Sequence, residues 1–369
     1  MRQLRDSTIL FVSGHSGPTL SRIERRCLPL MEALVAEGVT VLLVAMPHGA
    51  IVKPARAAGV TIAPYKVDRF NALITRNRLR AYLKRYAPQV ALGIGYYADI
   101  PLRLAARNLP LKVVSVTHCG AWPMRGFGAI NTAFREWVDR RTRDRADAFV
   151  VDCQEPADAM VADGIPAERI HIIPPGTDMA RVSREAAIVV VLPAGRPLVG
   201  YAGALEHSRG LGTLAAAVPL LRERYPSVHV VVAGDGPAKI ALLPAALDGR
   251  ITLLGRVPSV PAVLSALDVC VFSASEPGIP GSLLEAAALG CPIVASDVSG
   301  IHGLFADGKE VVLVPPGDPA ATAEAIAGLL ANPDRAQALG EAARLRVTDN
   351  YASAIEVKRW RTLLRTLGT

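Results

Sequence analysis

The chain is short of aromatic residues, of charge and of cysteine, and each shortage removes a class of protein. Aromatics make up 5% of the 369 residues. That scarcity, with basic residues interleaved by Asp and Glu, argues against specific nucleic-acid binding. The five cysteines, Cys27, Cys119, Cys153, Cys270 and Cys291, are odd in number, scattered and never in Cys-x-x-Cys spacing. This pattern argues against a disulfide framework and a structural zinc site, and fits a reducing, cytoplasmic setting. No Asp-x-Asp pair and no His/Asp cluster with ligand spacing occurs, so catalysis is not expected to depend on a metal. No Gly-x-Gly-x-x-Gly follows the first apolar run, which argues against a nicotinamide-dependent oxidoreductase. No uninterrupted apolar stretch approaches the roughly 20 residues that span a bilayer. The run from MRQLRDST into ILFV is likewise too short for a signal peptide. Low-complexity tracts and short repeats are missing too, so the whole chain is expected to fold.

What is present is apolar and periodic. With 51% hydrophobic residues, a chain of this length can bury more than one ordinary core, and two domains are the default. Near-continuous apolar runs recur: TILFVSG, VTVLLVA, VTIAPY, VALGIG, KVVSVTH, AFVVDC and IHIIPP, then LVGYAGA, VHVVVAGDG, ITLLGR, VCVFSAS, PIVASD and VVLVPP. Such runs suit strands buried on both faces of parallel sheets. The segments between them have helical spacing, as in LPLMEALVAEG, where Leu30, Leu34 and Val35 share a face and Gly38 closes the helix. The expected class is α/β, with two doubly wound Rossmann-like domains over 1–180 and 181–350. RVSREAAIVVVLPAGRP has weaker periodicity and reads as the link between them. Residues 351–369 read as an amphipathic helix offering Ile355, Trp360, Leu363 and Leu364 for burial, and are expected to pack back on the first domain.

Net charge is +8, with basic residues gathered in RFNALITRNRLRAYLKRY and REWVDRRTRDR. These segments suit an anionic lipid or a phosphorylated substrate, and equally a solvated helix face. Contact with the inner membrane face stays open on this reading.

In parallel α/β sheets, ligands bind beyond the carboxyl ends of the strands, where helix N-termini offer unpaired N–H groups to anions. Several motifs fall at such ends. In YAGALEHSRG, Gly203 lets a phosphate approach the backbone and Arg209 can pair with it. VVVAGDGP ends in Gly234, Asp235 and Gly236, which suit a turn against a ligand or an ordinary Asp-Gly turn. ITLLGRVP places Gly255, Arg256 and Val257 where a base ring can lie. In VFSASEPGIPGSLLEAAALG, the loop through Gly278 and Ile279 leads into a helix starting near Ser282. Gly281, Ser282 and Leu283 can donate N–H bonds to a diphosphate there, whereas Pro280 cannot. Glu285, in the first turn, can accept two hydrogen bonds from a vicinal diol such as ribose. The alternative is a capping box between Ser282 and Glu285.

This stretch resembles the donor-site signature of family 4 of the retaining glycosyltransferases, which have the GT-B architecture of two Rossmann-like domains facing across a cleft. IIPPGTD resembles the family's Ile-Pro-x-Gly-x-Asp segment, GALEHSRG its Gly-Arg-x-x-x-x-Lys-Gly element, and VAGDGP its Gly-x-Gly-Pro turn. SLLEAAALGCPIVASDVSGI resembles its Leu-Glu-Ala-Met-Ala-x-Gly-x-Pro-Val-Val-Ala block. The ordered set, from Ile172 to about Pro316, is specific where no single member is. Two positions depart from it. Ala204 stands where the family usually has Arg, and Pro277 stands at the first Glu position of its Glu-x7-Glu pair, with Glu276 one residue earlier.

The resemblance implies transfer of a hexosyl group from a UDP- or GDP-sugar to a hydroxyl acceptor, with retention. The nucleotide sugar is the donor substrate and no cofactor is implied. The acceptor would be a carbohydrate, a lipid-linked sugar or a small natural product. Arg209 would stabilise the leaving diphosphate, while His118 and Glu276 would orient the sugar. Each of the last two also reads as ordinary scaffold: His118 as a hydrogen-bonded residue after a strand, Glu276 as a loop-tip carboxylate. In the first domain, Gly14 and Gly17 resemble the family's N-terminal glycine loop or a simple β-α turn, and Asp178 suits a cleft residue or a helix cap. A sugar-nucleotide epimerase or hydrolase on the same fold, and a non-catalytic sugar-nucleotide-binding protein, are the competing readings. Oligomeric state is not legible.

Overall fold

The computed structural model describes residues 7–15, 17, 20–65, 72–117 and 129–368. It divides into two compact units, Met1–Pro174 with Glu356–Thr369, and Pro175–Ile355. In unit 1 the apolar runs become seven parallel strands: β1 (Thr8–Ser13), β2 (Thr40–Ala45), β3 (Thr61–Pro64), β4 (Val90–Ile94), β5 (Lys112–Val116), β6 (Ala148–Val151) and β7 (Ile170–Ile172). Their order is β3-β2-β1-β4-β5-β6-β7. The helices between them are α1 (Arg22–Ala36), α2 (Val52–Ala57), α3 (Ala72–Tyr86), α4 (Tyr96–Ala105), α5 (Ala129–Thr142) and α6 (Gln154–Ala162). As the spacing predicts, α1 stops just ahead of Gly38.

Unit 2 repeats the plan with β8 (Leu198–Ala202), β9 (His229–Ala233), β10 (Thr252–Gly255), β11 (Val269–Phe272), β12 (Ile293–Ser296) and β13 (Val312–Val314). The order is β10-β9-β8-β11-β12-β13, again all parallel. Its helices are α7 (Met179–Ala186), α8 (Leu211–Arg224), α9 (Leu243–Leu247), α10 (Val260–Ser265), α11 (Gly281–Ala288), α12 (Ser299–His302), α13 (Pro319–Ala331) and α14 (Pro333–Asn350). The chain then returns to unit 1 with α15 (Ser353–Leu367). The two units are Rossmann-like α/β domains.

Helices cover both faces of the unit 1 sheet. On one face, Leu30, Met31 and Leu34 of α1 pack with Trp360, Leu363 and Leu364 of α15 over β1, β2 and β4. Burying side chains of this size contributes roughly 1.5–3 kcal/mol each. A buried ion pair adds register: Arg26 donates from Nε to Glu356 Oε1 at 2.8 Å and from Nη2 to the Ile173 carbonyl at 2.5 Å. On the other face, Leu79 and Leu83 of α3 and Ala98 and Leu102 of α4 cover Leu10, Val12, Leu42 and Val44.

Beneath α4 lies a buried charged cluster. Arg103 donates to Asp139 Oδ1 at 2.7 Å and to Ser115 Oγ at 3.0 Å, and pairs with Asp99 Oδ2 at 2.5 Å. Ser115 Oγ donates to Asp99 Oδ1 at 2.7 Å. Two carboxylates share one guanidinium, and burial pushes the Asp99 carboxyl up to about 6, against the pull of Arg103 and Ser115. The fold therefore holds this proton more tightly than the unfolded chain does. The stability it contributes is complete below about pH 4 and is lost as pH rises through about 6. Unfolding at pH 4 and pH 7 should show about 2 kcal/mol of this dependence in the wild type and none of it in Asp99→Asn. Equal slopes in both proteins would remove Asp99 as its source.

Two expectations change. RVSREAAIVVVLPAGRP is not wholly a link, because its first part belongs to α7, which Asp178 caps by accepting from the Arg181 N–H at 2.9 Å. Of the two readings of Asp178, the structure shows the helix cap. Cys153 is disulfide-bonded, against the expectation of unpaired thiols, while Cys27, Cys270 and Cys291 are free and buried. Spacing along a chain does not report distance in space.

Candidate functional site

In unit 2 the strand order reverses between β8 and β11: the chain runs outward through β9 and β10 on one side, and through β12 and β13 on the other. Loops leaving the carboxyl ends of β8 and β11 flank the crevice at such a switch point. The β8 loop carries Gly203, a short 3-10 turn over His207–Arg209, and Gly210 at the start of α8. The β11 loop runs from Ser273 to Pro280, ahead of α11.

Hydrogen bonds fasten the two loops together. Ser273 Oγ donates to the carbonyls of Gly210 at 3.0 Å and Arg209 at 3.3 Å, and the Ser275 N–H donates to the Ser208 carbonyl at 3.1 Å. Arg209 is thereby held beside the β11 loop. Tyr201 stands at the centre, its ring edge-on to Phe272 and its hydroxyl donating to the Ala204 carbonyl at 2.8 Å. Burial raises the pKa of that phenol, while the charge of Arg209 and a hydrogen bond with Ser282 oppose the rise. Arg209 and Ser282 thus both act on one hydroxyl.

Gly203 lies between them. With φ +148°, a Cβ there would sit 2.8 Å from Ser282 Oγ and from Tyr201 Oη, so only glycine keeps this space open. Gly234 presses equally close: its Cβ would fall 1.8 Å from the Gly203 carbonyl oxygen. The Gly203 N–H donates to the Ala233 carbonyl at 3.0 Å and the Leu205 N–H to the Asp235 carbonyl at 3.1 Å. The Gly234 N–H reaches the Gly255 carbonyl at 2.7 Å, which draws the β10 end into the same row. Gly236 abuts Leu205. Arg256, exposed, donates from Nε to Asp235 Oδ2 at 3.1 Å, and this bond lowers the Asp235 pKa. Val257 follows it, half-buried.

The start of α11 is open. Pro280 is the cap residue and supplies no side-chain hydrogen bond, Gly281 is exposed, and a Cβ on Gly281 would meet nothing within 4 Å. Among the described residues the N–H groups of Gly281 and Ser282 meet no acceptor. The expectation for Leu283 is corrected: its N–H donates to the Pro280 carbonyl at 3.1 Å, closing a turn, so it is not available to a ligand. Gly278 and Ile279 are buried in the preceding loop, with Gly300 of α12 packed against Gly278.

Ser282 and Glu285 form no capping box. The Ser282 hydroxyl turns to Tyr201, and Glu285 Oε1 instead accepts from Arg181 Nη2 at 2.6 Å. Arg181 also donates from Nη1 to Glu185 Oε2 at 2.9 Å. Burial opposes the Arg181 charge, and the two carboxylates more than offset it, raising its pKa. The Glu285 side chain is 15% exposed, so it faces neither an apolar interior nor bulk water. Arg181 carries no sequence signal, because the contact depends on α7 packing beside α11, 104 positions away.

The structure thus gathers Gly203, Arg209, Gly234, Gly236, Gly255, Gly278, Ser282 and Glu285 along one edge of the unit 2 sheet. Glu276 is exposed on the β11 loop and forms no ion pair among the described residues. Gly14 and Gly17 belong to unit 1, where Gly14 packs against Tyr97 and Ala98 at the start of α4 and Gly17 lies against the His15 ring. His118 lies outside the described residues.

Comparison with known proteins agrees with this arrangement. The family model "Glycosyl transferases group 1" matches residues 196–332, and "Glycosyl transferase 4-like domain" matches residues 23–176. The chain is 30% identical over 255 residues to 2-deoxystreptamine N-acetyl-D-glucosaminyltransferase of Streptomyces fradiae, covering 63% of this chain and 59% of that protein. It is 26% identical over 281 residues to 2-deoxystreptamine glucosyltransferase of Streptomyces kanamyceticus, covering 71% and 73%. The fold matches Anabaena Alr3699/HepE in complex with UDP at a TM-score of 0.78 and 16% identity, over 98% of this chain and all of that one. These matches place the chain among the glycosyltransferases, with a glycosyl transferase 4-like domain followed by a group 1 domain.

Proposed function

We propose that the chain moves a hexosyl group from a nucleoside-diphosphate sugar to a hydroxyl acceptor, with retention at the anomeric carbon. One observation carries this reading: the open start of α11 presents two N–H groups without acceptors beside Gly203, with Glu285 one turn along. A diphosphate at that start meets the positive end of the helix dipole and the Arg209 charge. Glu285, with Oε1 held by Arg181, keeps Oε2 for a ribose hydroxyl. As the bond from sugar to phosphate breaks, negative charge grows on the leaving oxygen, and preorganised donors stabilise that charge more than they stabilise the bound donor. Glu276 is the candidate for contact with the sugar.

Both relatives name 2-deoxystreptamine and the Anabaena neighbour holds UDP, which supports a uridine donor and a small hydroxylated acceptor as the first pair to assay. Turnover of UDP-glucose and related donors, followed by NMR of the product anomer, tests the reading. An α-linked product supports it; a β-linked product removes retention, and conversion of donor without acceptor favours an epimerase or hydrolase. Because Arg209 and the backbone carry the leaving-group charge on this reading, EDTA should leave turnover unchanged. Loss of turnover in EDTA with recovery on adding Mg²⁺ would assign that charge to a metal instead.

A further inference from the structure

Helix α3 carries Arg76, Arg78, Arg80, Lys84 and Arg85 and no acidic residue. Thr75, Leu79 and Leu83 face the core, while Asn77, Arg78, Ala81, Lys84 and Arg85 are exposed. None of the five cations forms an ion pair with a described residue. Elsewhere in unit 1 carboxylates neutralise basic groups, as Asp152 does Arg22, Asp163 both Arg140 and Arg143, and Glu37 Arg361. Arg80 is spent on carbonyls, donating to Ala105 at 2.8 Å and Arg107 at 2.6 Å, so it fixes the helix without losing its charge.

We propose that the exposed face of α3 binds an anionic lipid bilayer, independently of the donor site in the other unit. From Arg78 to Arg85 the cations extend about 10 Å along a convex helix surface, which suits spaced headgroups rather than a single phosphate. A nucleic acid fits less well, because the rings on and beside α3 are already engaged with one another or with arginine. Tyr82 and Tyr86 stack on each other, Arg85 covers Tyr86, and Tyr65 is buried. On the same side of the sheet, α5 exposes Trp137 at 56%, with Arg141 at 5.6 Å from its ring centroid. Tryptophan is a residue type that favours the headgroup level. No helix among the described residues is long and apolar enough to cross a membrane, so the attachment is peripheral.

The test is co-sedimentation of the full chain with phosphatidylcholine vesicles, with and without one third phosphatidylglycerol. The wild type should bind only the anionic vesicles and release them at about 0.5 M salt, where surface charges are screened. Arg78→Glu/Lys84→Glu/Arg85→Glu should bind on the order of a hundredfold more weakly. Lys53→Glu/Arg56→Glu/Lys358→Glu, which makes the same charge change on α2 and α15, should bind like the wild type. A milder Lys84→Gln/Arg85→Gln variant should fall between, and thermal unfolding confirms that each variant is folded. Equal binding by the α3 and control variants would overturn the proposal, as would failure of the wild type to bind anionic vesicles. So would release by millimolar inorganic phosphate, which marks a single-phosphate pocket, or binding of duplex DNA in place of vesicles.

Discussion

Replacing Arg209 with methionine is expected to lower kcat by about 10²–10³-fold, the usual loss when one preorganised donor to a developing negative charge is removed. The unfolding midpoint should not move, because Arg209 forms no ion pair with a described residue and methionine keeps its apolar stem. Ala204 makes the effect large. It leaves the β8 loop one cation short of the family pattern, so no second Arg or Lys between Gly203 and Gly210 shares the load with Arg209. Arg209→Lys should recover part of the rate, since it keeps the charge but loses the guanidinium fork. A methionine variant within about threefold of wild type would take Arg209 out of the reaction.

Glu285→Ala is expected to weaken donor binding by about tenfold to a hundredfold, the loss of one or two hydrogen bonds to a charged acceptor at roughly 1.5 kcal/mol each. The diagnostic readout is the comparison of UDP with 2′,3′-dideoxy-UDP. The wild type should prefer UDP and Glu285→Ala should not, so the two losses fail to add, as they do for groups in contact. Arg181→Met should weaken UDP less than Glu285→Ala does, because it frees the carboxylate to turn without removing it. If Glu285→Ala still discriminates between the nucleotides as the wild type does, Glu285 does not hold the ribose.

The strands were legible because both faces of each sheet are covered. Runs such as Ile9–Val12 and Val269–Phe272 are buried along their whole length, and that leaves an unbroken apolar signature. The row of Gly203, Gly234 and Gly255 was legible because each position excludes a side chain: Gly234 lies against the Gly203 carbonyl, Gly203 against the Ser282 and Tyr201 side chains, and Gly255 has φ +66°. Eight-residue α7 was not: it is short and buries only Val182, so its polar residues read as a link. Arg181 and the Arg103 cluster were invisible because their partners meet through packing across the chain, and pairs of common charged residues leave no local pattern. Leu283 failed as a ligand donor because the turn at Pro280 consumes its N–H, a detail of local geometry.

The account rests on an anion held by the backbone at the start of α11, and titration of UDP against two substitutions at Ser282 tests this most directly. Ser282→Ala removes the hydroxyl that meets Tyr201, whereas Ser282→Pro also removes the N–H, at a first-turn position where proline is tolerated. We predict that the alanine variant binds UDP within about threefold of wild type and the proline variant at least about tenfold more weakly, the worth of one charge-assisted hydrogen bond. Equal affinity in the two variants would contradict the account, because the diphosphate would then not be resting on that backbone.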